Sequence, residues 1–227
     1  MSMKVVIGCP TLTRPHDALL HAVENAIPAL DGAGIDHSMV WEVGCPYISH
    51  ARATMLRKAL DAKADIMVFL DHDVSFRPQD LLKLIETEGD VCAGTYRYKK
   101  DEEEYMGAWC TDAAGIPLVR KDGAFYGHRV PAGFLKVTKE AIDRFMRSYP
   151  ELVFGVRYNP SIDLFNHGVI DGVWYGEDMA FSKRWIDAGG EIALIPDMNI
   201  NHHSAGREFA GNLHEFMMRQ PGGAKAA

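Results

Sequence analysis

Five apolar residues in a row, Ile66-Met67-Val68-Phe69-Leu70, run straight into Asp71-His72-Asp73. A strand that is apolar on both faces has to be covered on both, as happens inside a parallel sheet layered between helices. The surrounding sequence supplies such layers. Residues 4–9 read as a buried strand (Val5, Val6, Ile7) stopped by Pro10. Residues 15–30 place Leu19, Leu20, Val23, Ile27 and Leu30 near helical spacing, with Gly32 and Gly34 ending the helix. A strand at 38–43, a helix at 47–62 with Ser49 as cap, a helix at 78–88 and a strand at 91–96 follow. This βαβαβαβ order predicts an α/β fold, with a mostly parallel central sheet, right-handed crossovers and helices on both faces.

The alternation then breaks. Residues 98–126 read as an excursion of short strands and loops, with Asp101 to Glu104 as a solvated acidic run. A strand at 130–137 leads into a helix at 138–146 capped by Thr138. Residues 148–171 are irregular and rich in Asn, Gly and aromatics. A helix at 177–188 closes at Gly189-Gly190, and a strand at 191–196 is extended by residues 199–202. A loop, a short helix to Met218 and a frayed tail at 221–227 complete the chain. A length of 227 residues favours one domain with one sizeable core.

Charge and cysteine usage narrow the function classes. With 24 basic and 31 acidic residues the net charge is −7, which argues against a protein that coats nucleic acid. No apolar stretch approaches the ~20 residues a membrane span needs, and the few apolar residues before Pro10 are too short for a secretory segment. Cys9, Cys45, Cys92 and Cys110 form no CxxC pair and read as reduced thiols, which points to a cytoplasmic location.

The chemistry is concentrated at strand ends. Asp71 and Asp73 follow an apolar strand, at the edge where open α/β sheets bind ligands. Two carboxylates there can hold a hard divalent cation through oxygen, and the cation can neutralise a departing diphosphate. Capping of the next helix is the competing role, but Pro78 lies five residues beyond Asp73 and Ser75 is closer to the cap position. Glu177 and Asp178, after Gly176, open a helix; acids in a first turn complement the dipole, or one can serve as a general base. His202-His203 ends the last strand, and alternation puts His202 on the face shared with Ile200, as a metal ligand. Thr11 and Arg14 after the first strand, Glu42 at the end of the second and Arg52 in the second helix share the same edge. Neither a Walker A pattern nor GxGxxG is present, so no glycine loop cradles a phosphate.

In this order the pieces resemble the family-2-like nucleotide-sugar glycosyltransferases of the GT-A (Rossmann-like) fold. Cys9-Pro10-Thr11 resembles the opening strand and turn, and Ser49-His50-Ala51-Arg52 resembles an Ala-Arg-Asn segment, with Ala53 in place of Asn. Asp71-His72-Asp73 resembles the DxD element. Gly133 to Ala141 resembles the start of the acceptor half, and Tyr175-Gly176-Glu177-Asp178 through Gly190 the Glu-Asp helix. Ile195-Pro196-Asp197 through His202 resembles the closing strand and its histidine.

The resemblance implies a hexosyltransferase-type enzyme using Mn2+ or Mg2+ and a nucleotide-sugar donor, UDP-sugar above all. It implies Asp71, Asp73 and His202 as metal ligands, with Asp71 also at the ribose. Thr11, Arg14, Glu42, Arg52 and Asp71 would line the donor pocket. Asp178 would be the general base of an inverting transfer, and Glu177 would position the acceptor. It divides the single domain 1–227 into a nucleotide-binding half (1–97), an insertion (98–129), an acceptor and catalytic half (130–212) and a tail (213–227). The acceptor is a saccharide, a small molecule or a modified base, and the acid excess disfavours nucleic acid. The second strand ends Glu42-Val43-Gly44 rather than in an acidic pair, and no membrane segment of the polymerising relatives is present. A nucleotidyltransferase acting on a sugar phosphate, or a non-catalytic nucleotide-sugar-binding module, are the competing classes.

Overall fold

The computed structural model describes residues 2–220, so the tail expected at 221–227 lies outside the described residues. Strands and helices alternate as β1 (Lys4–Thr11), α1 (Asp17–Gly32), β2 (Asp36–Val43), α2 (Ile48–Asp61), β3 (Ile66–Leu70), β4 (Val74–Ser75), α3 (Pro78–Glu86) and β5 (Val91–Gly94). Then come β6 (Ala108–Trp109), β7 (Phe125–Arg129), β8 (Phe134–Thr138) and α4 (Lys139–Ser148). A 3-10 turn (Pro150–Leu152) leads to two hairpins, β9 (Val153–Val156) with β10 (Asn159–Ile162) and β11 (Gly168–Ile170) with β12 (Val173–Tyr175). The chain ends through α5 (Glu177–Asp187), β13 (Ile192–Ile195), β14 (Asn201–Ser204), β15 (Arg207–Phe209) and α6 (Leu213–Arg219).

The central sheet has eight strands in the order β2-β1-β3-β8-β5-β13-β7-β6. β1 runs parallel to β2 and β3, and β13 parallel to β5. β8 is antiparallel between β3 and β5, and β7 is antiparallel to β13 and β6. Only β8 and β7 therefore oppose the common direction, so the sheet is mostly parallel. Both follow the excursion after residue 97 instead of a crossover helix, and nothing in that connection forces them parallel.

The apolar β3 stripe divides between two cores. Ile66, Val68 and Leu70 pack with Leu19, Ala26 and Leu30 of α1 and Leu81 and Leu84 of α3. Met67 and Phe69 pack with Met55 and Leu56 of α2, Phe145 of α4 and Phe181 and Trp185 of α5. Helices thus cover both faces.

Three local departures have simple causes. β1 continues through Pro10 to Thr11, because its pairing with β3 ends at Gly8 and leaves the proline on a one-sided stretch. α2 starts from Tyr47 with no side-chain cap, and Ser49 lies inside the helix. Residues 199–202 do not extend β13: Pro196 ends it, and β14 joins β15 and β4 in a separate three-stranded sheet. β4, too short to announce itself in sequence, is what brings β14 beside the loop carrying Asp71 and Asp73.

Candidate active site

α5 has to be placed accurately, because its first turn carries Glu177 and Asp178. Phe181 and Trp185 on its inner face stack on Phe145 of α4, at 5.4 and 5.6 Å between ring centroids. Phe165 stacks on Phe181 at 4.9 Å and meets Phe69 of β3 edge-on at 5.2 Å. The Arg52 guanidinium lies 4.8 Å over the Phe165 ring, so the aromatic core runs directly into the polar cluster.

Arg52 is the hub of that cluster. It is only 2% exposed, and its Nη2 donates to Asp71 Oδ1 at 2.9 Å. Its Nη1 lies 3.6 Å from Glu177 Oε1 and 3.7 Å from Asp178 Oδ1. Three carboxylates from two distant segments thus face one buried cation. Removing that cation would leave them mutually repelling in a poorly solvated place. Burial works against the guanidinium's charge, but Asp71, Asp178 and Glu177 outweigh it and hold Arg52 protonated.

Asp71 is held from its other side by a close approach of backbone. Its N–H donates to the Gly133 carbonyl at 3.0 Å. A Cβ at Gly133 would sit 2.1 Å from the Tyr96 hydroxyl and 2.5 Å from Asp71 Oδ2. A side chain there would have to displace Tyr96 and Asp71. Gly133→Ala is expected to cost roughly 2 kcal/mol of stability and to push Asp71 off Arg52. Urea unfolding and loss of nucleotide affinity check both effects.

Asp178 is the group with the most altered acidity. Burial raises it, Arg52 opposes, and the neighbouring Asp71 and Glu177 charges add to the rise, with the net result at about 7. Its Oδ1 is buried and accepts no hydrogen bond, and neither Arg52 Nη1 nor Nε donates one. A carboxylate beside a cation, unsaturated and half-protonated near neutrality, is suited to receive a proton.

Asp73 and His202 form a second centre. His202 Nε2 is 3.6 Å from Asp73 Oδ1, while Nδ1 lies 2.9 Å from the Arg97 carbonyl. A carbonyl only accepts, so Nδ1 carries a hydrogen and Nε2 is the ring nitrogen that faces the carboxylate. A ring nitrogen and a carboxylate oxygen facing each other across this gap can share a cation, and a backbone carbonyl on the far ring nitrogen is the usual support of a metal-binding histidine. Burial raises Asp73, but its contacts with His202, Lys99 and His72 outweigh it and hold the carboxyl well below the usual range. Asp71 is turned to Arg52 instead. Among the described residues no three His, Cys, Asp or Glu side chains gather into a complete metal-binding group. An ion on Asp73 and His202 would have to take its remaining ligands from phosphate and water, as Mg2+ and similar hard ions do.

The other residues expected at this edge are spread more widely. Thr11 is buried at the end of β1, where its carbonyl accepts from Gly44. Glu42 Oε2 accepts from Lys58 of α2 at 2.8 Å. Arg14 is exposed and paired with Asp17, apart from the carboxylate cluster. His203 turns away from Asp73, stacks on His16 and meets Ser75 Oγ at 2.8 Å. Residues that sequence reasoning passed over complete the site. Tyr96 is 1% exposed, 5.0 Å edge-on to His202, and kept protonated by burial and the nearby Asp71. The strand-end rule, applied to the last residue of the 91–96 strand signal, would have found it. Lys99 binds Asp73 Oδ2, a contact that nothing in its sequence position announces.

No protein-family model matches the chain, and no curated protein matches it. Its fold is similar to those of solved glycosyltransferases. GalNAc-T7 with UDP, GalNAc and Mn2+ is 14% identical, over 88% of this chain and 44% of that one, at a TM-score of 0.49. The catalytic domain of Drosophila beta1,4-galactosyltransferase 7 in complex with xylobiose is 17% identical, over 85% of this chain and 64% of that one, at 0.46. The inositol-1-phosphate CTP transferase from T. maritima is 11% identical, over 86% of each chain, at 0.41. The chain spans less than two-thirds of the length of these two glycosyltransferases.

Proposed function

We propose that the chain is a metal-dependent glycosyltransferase that moves a sugar from a nucleoside diphosphate, UDP foremost, to an acceptor hydroxyl with inversion. The observation that carries this reading is the meeting of two centres at one sheet edge. Asp73 and His202 are arranged for a cation, and Asp178 is arranged for a proton, with Asp71 and Arg52 between them. A divalent ion held by Asp73 and His202 would neutralise the diphosphate as it departs.

The chain's own residues do the rest. Asp178 takes the proton of the acceptor hydroxyl. The acceptor oxygen then bonds to the anomeric carbon, and the bond from that carbon to the diphosphate oxygen breaks, its electron pair leaving with the diphosphate. Attack and departure on opposite faces invert the centre. Arg52 stabilises the ionised Asp178 before it is used and fixes Asp71 for the donor. A cleft of about 130 Å³ bounded by Tyr98, Met106, Arg129 and Met179 reaches Asp178 and gives the acceptor its approach. Glu177, beside it on Arg52, orients that acceptor.

A panel of nucleotide sugars, assayed for release of nucleoside diphosphate with Mn2+ or EDTA, tests the reading. Metal-dependent release from one of them, with kcat/KM rising through pH about 7 as Asp178 ionises, is expected. Pyrophosphate release from a sugar phosphate and a nucleoside triphosphate would instead make it a nucleotidyltransferase. Metal-dependent binding with no turnover would make it a binding module.

A further inference from the structure

The two oxygens of Asp73 face different partners. Oδ1 faces His202, whereas Oδ2 accepts from the Lys99 ammonium. Asp73 keeps 15% of its side chain exposed and Lys99 keeps 33%, so the lysine reaches in from solvent to a carboxylate that is nearly covered. The backbone beneath Lys99 is tied down. Tyr98 N–H donates to Glu104 at 2.9 Å, Arg97 Nη2 donates to the carbonyls of Lys100 and Asp101, and Arg207 pairs with Asp101. Only the lysine's flexible stem is left to move.

We infer that Lys99 is an exchangeable cation of the donor site. It neutralises Asp73 until a divalent ion binds, and on displacement it pairs with the diphosphate. The inference rests on the cation reading of Asp73 and His202 given above. Its physical basis is competition for one oxygen pair. A monovalent ammonium that is one-third solvated holds a carboxylate weakly. A divalent ion sharing Asp73 and His202 outcompetes it, and like charge then drives the ammonium off. The nearest incoming anion at this edge is the diphosphate that the ion binds.

This exchange predicts effects of opposite sign. Calorimetric titration of Mn2+ into metal-free protein should show Lys99→Met binding roughly fivefold tighter than the native chain, since no ammonium has to be displaced. Titration of UDP at saturating Mn2+ should show Lys99→Met binding roughly fivefold more weakly. Lys99→Arg, which keeps the charge, should restore both toward native values. Asp73→Asn should abolish Mn2+ binding, which establishes the cation site independently of the lysine. If Asp73→Asn behaves so but Lys99→Met leaves either affinity unchanged, or shifts both in the same direction, the exchange is overturned and the cation site stands. Absence of Mn2+ binding by the native chain and by Lys99→Met alike overturns both. Circular dichroism of each variant shows that the comparison is between folded proteins.

Discussion

Replacing Asp178 by Asn is expected to lower transfer about 10³-fold and to raise the melting temperature. The two effects have one cause. In the folded chain the carboxyl is raised from 3.8 to about 7, by burial first and by its acidic neighbours next. Between those two values the folded state holds a proton that the unfolded state has released, so the native chain loses stability as pH rises through this window. Asparagine has no charge to lose. Its advantage should be absent near pH 4, grow toward pH 7 and level off above it. Part of the cost is relieved by remaining solvent and by Arg52, so the gain at pH 8 is set at roughly 1–2 kcal/mol, or about 3–6 °C for a chain of this size. Calorimetry across pH with parallel turnover assays measures both. A variant that lost activity and stability together would show Asp178 to be a structural partner of Arg52 instead of the proton acceptor.

The opposite signs also explain how much of the site could be read from sequence. The β3 stripe and its two aspartates were legible because a doubly buried strand leaves no freedom of placement. The Glu-Asp turn was legible only as chemistry that its helix position also explains; its meaning depends on Arg52, which a lone sequence leaves open as a surface residue. The acidity of Asp178 depends on its burial beside Arg52, Asp71 and Glu177, and Phe165, stacked on Phe181 of α5 and under Arg52 of α2, helps hold those groups together. No periodicity encodes that contact. The same holds for His202. Alternation selected it over His203, but as part of a continued strand, whereas a break at Pro196 and pairing with the two-residue β4 are what deliver it to Asp73. Asp71 shows the remaining gap. Sequence spacing treats the two aspartates alike, and only the approach of Gly133 and Arg52 separates their roles. Arg14 illustrates the reverse, since its place after β1 suggested the donor pocket and local pairing with Asp17 keeps it on the surface.

Asp73→Ala should be the most damaging single change to turnover, with a loss of about 10³-fold or more and only a modest cost in stability. The diphosphate gathers charge as its bond to the sugar breaks, and Asp73 with His202 stands at the strand edge where a divalent cation would meet it. Without the carboxylate, His202 alone offers a single ring nitrogen, too little to compete with water for a hard ion. Folding should lose a modest amount, on the order of 1–2 kcal/mol, because Asp73 gives up its pairing with the one-third exposed Lys99 and the contacts with His202 and His72 that hold its carboxyl low. The contrast with Asp178 is therefore quantitative: both variants lose turnover, yet only Asp178→Asn stabilises, and only Asp73→Ala loses Mn2+ affinity. Raising Mn2+ should not rescue Asp73→Ala if the ion's own ligand is gone. Recovery of near-native rates at high Mn2+ would place the cation on other residues, and near-native rates without added metal would remove the ion from the reaction altogether.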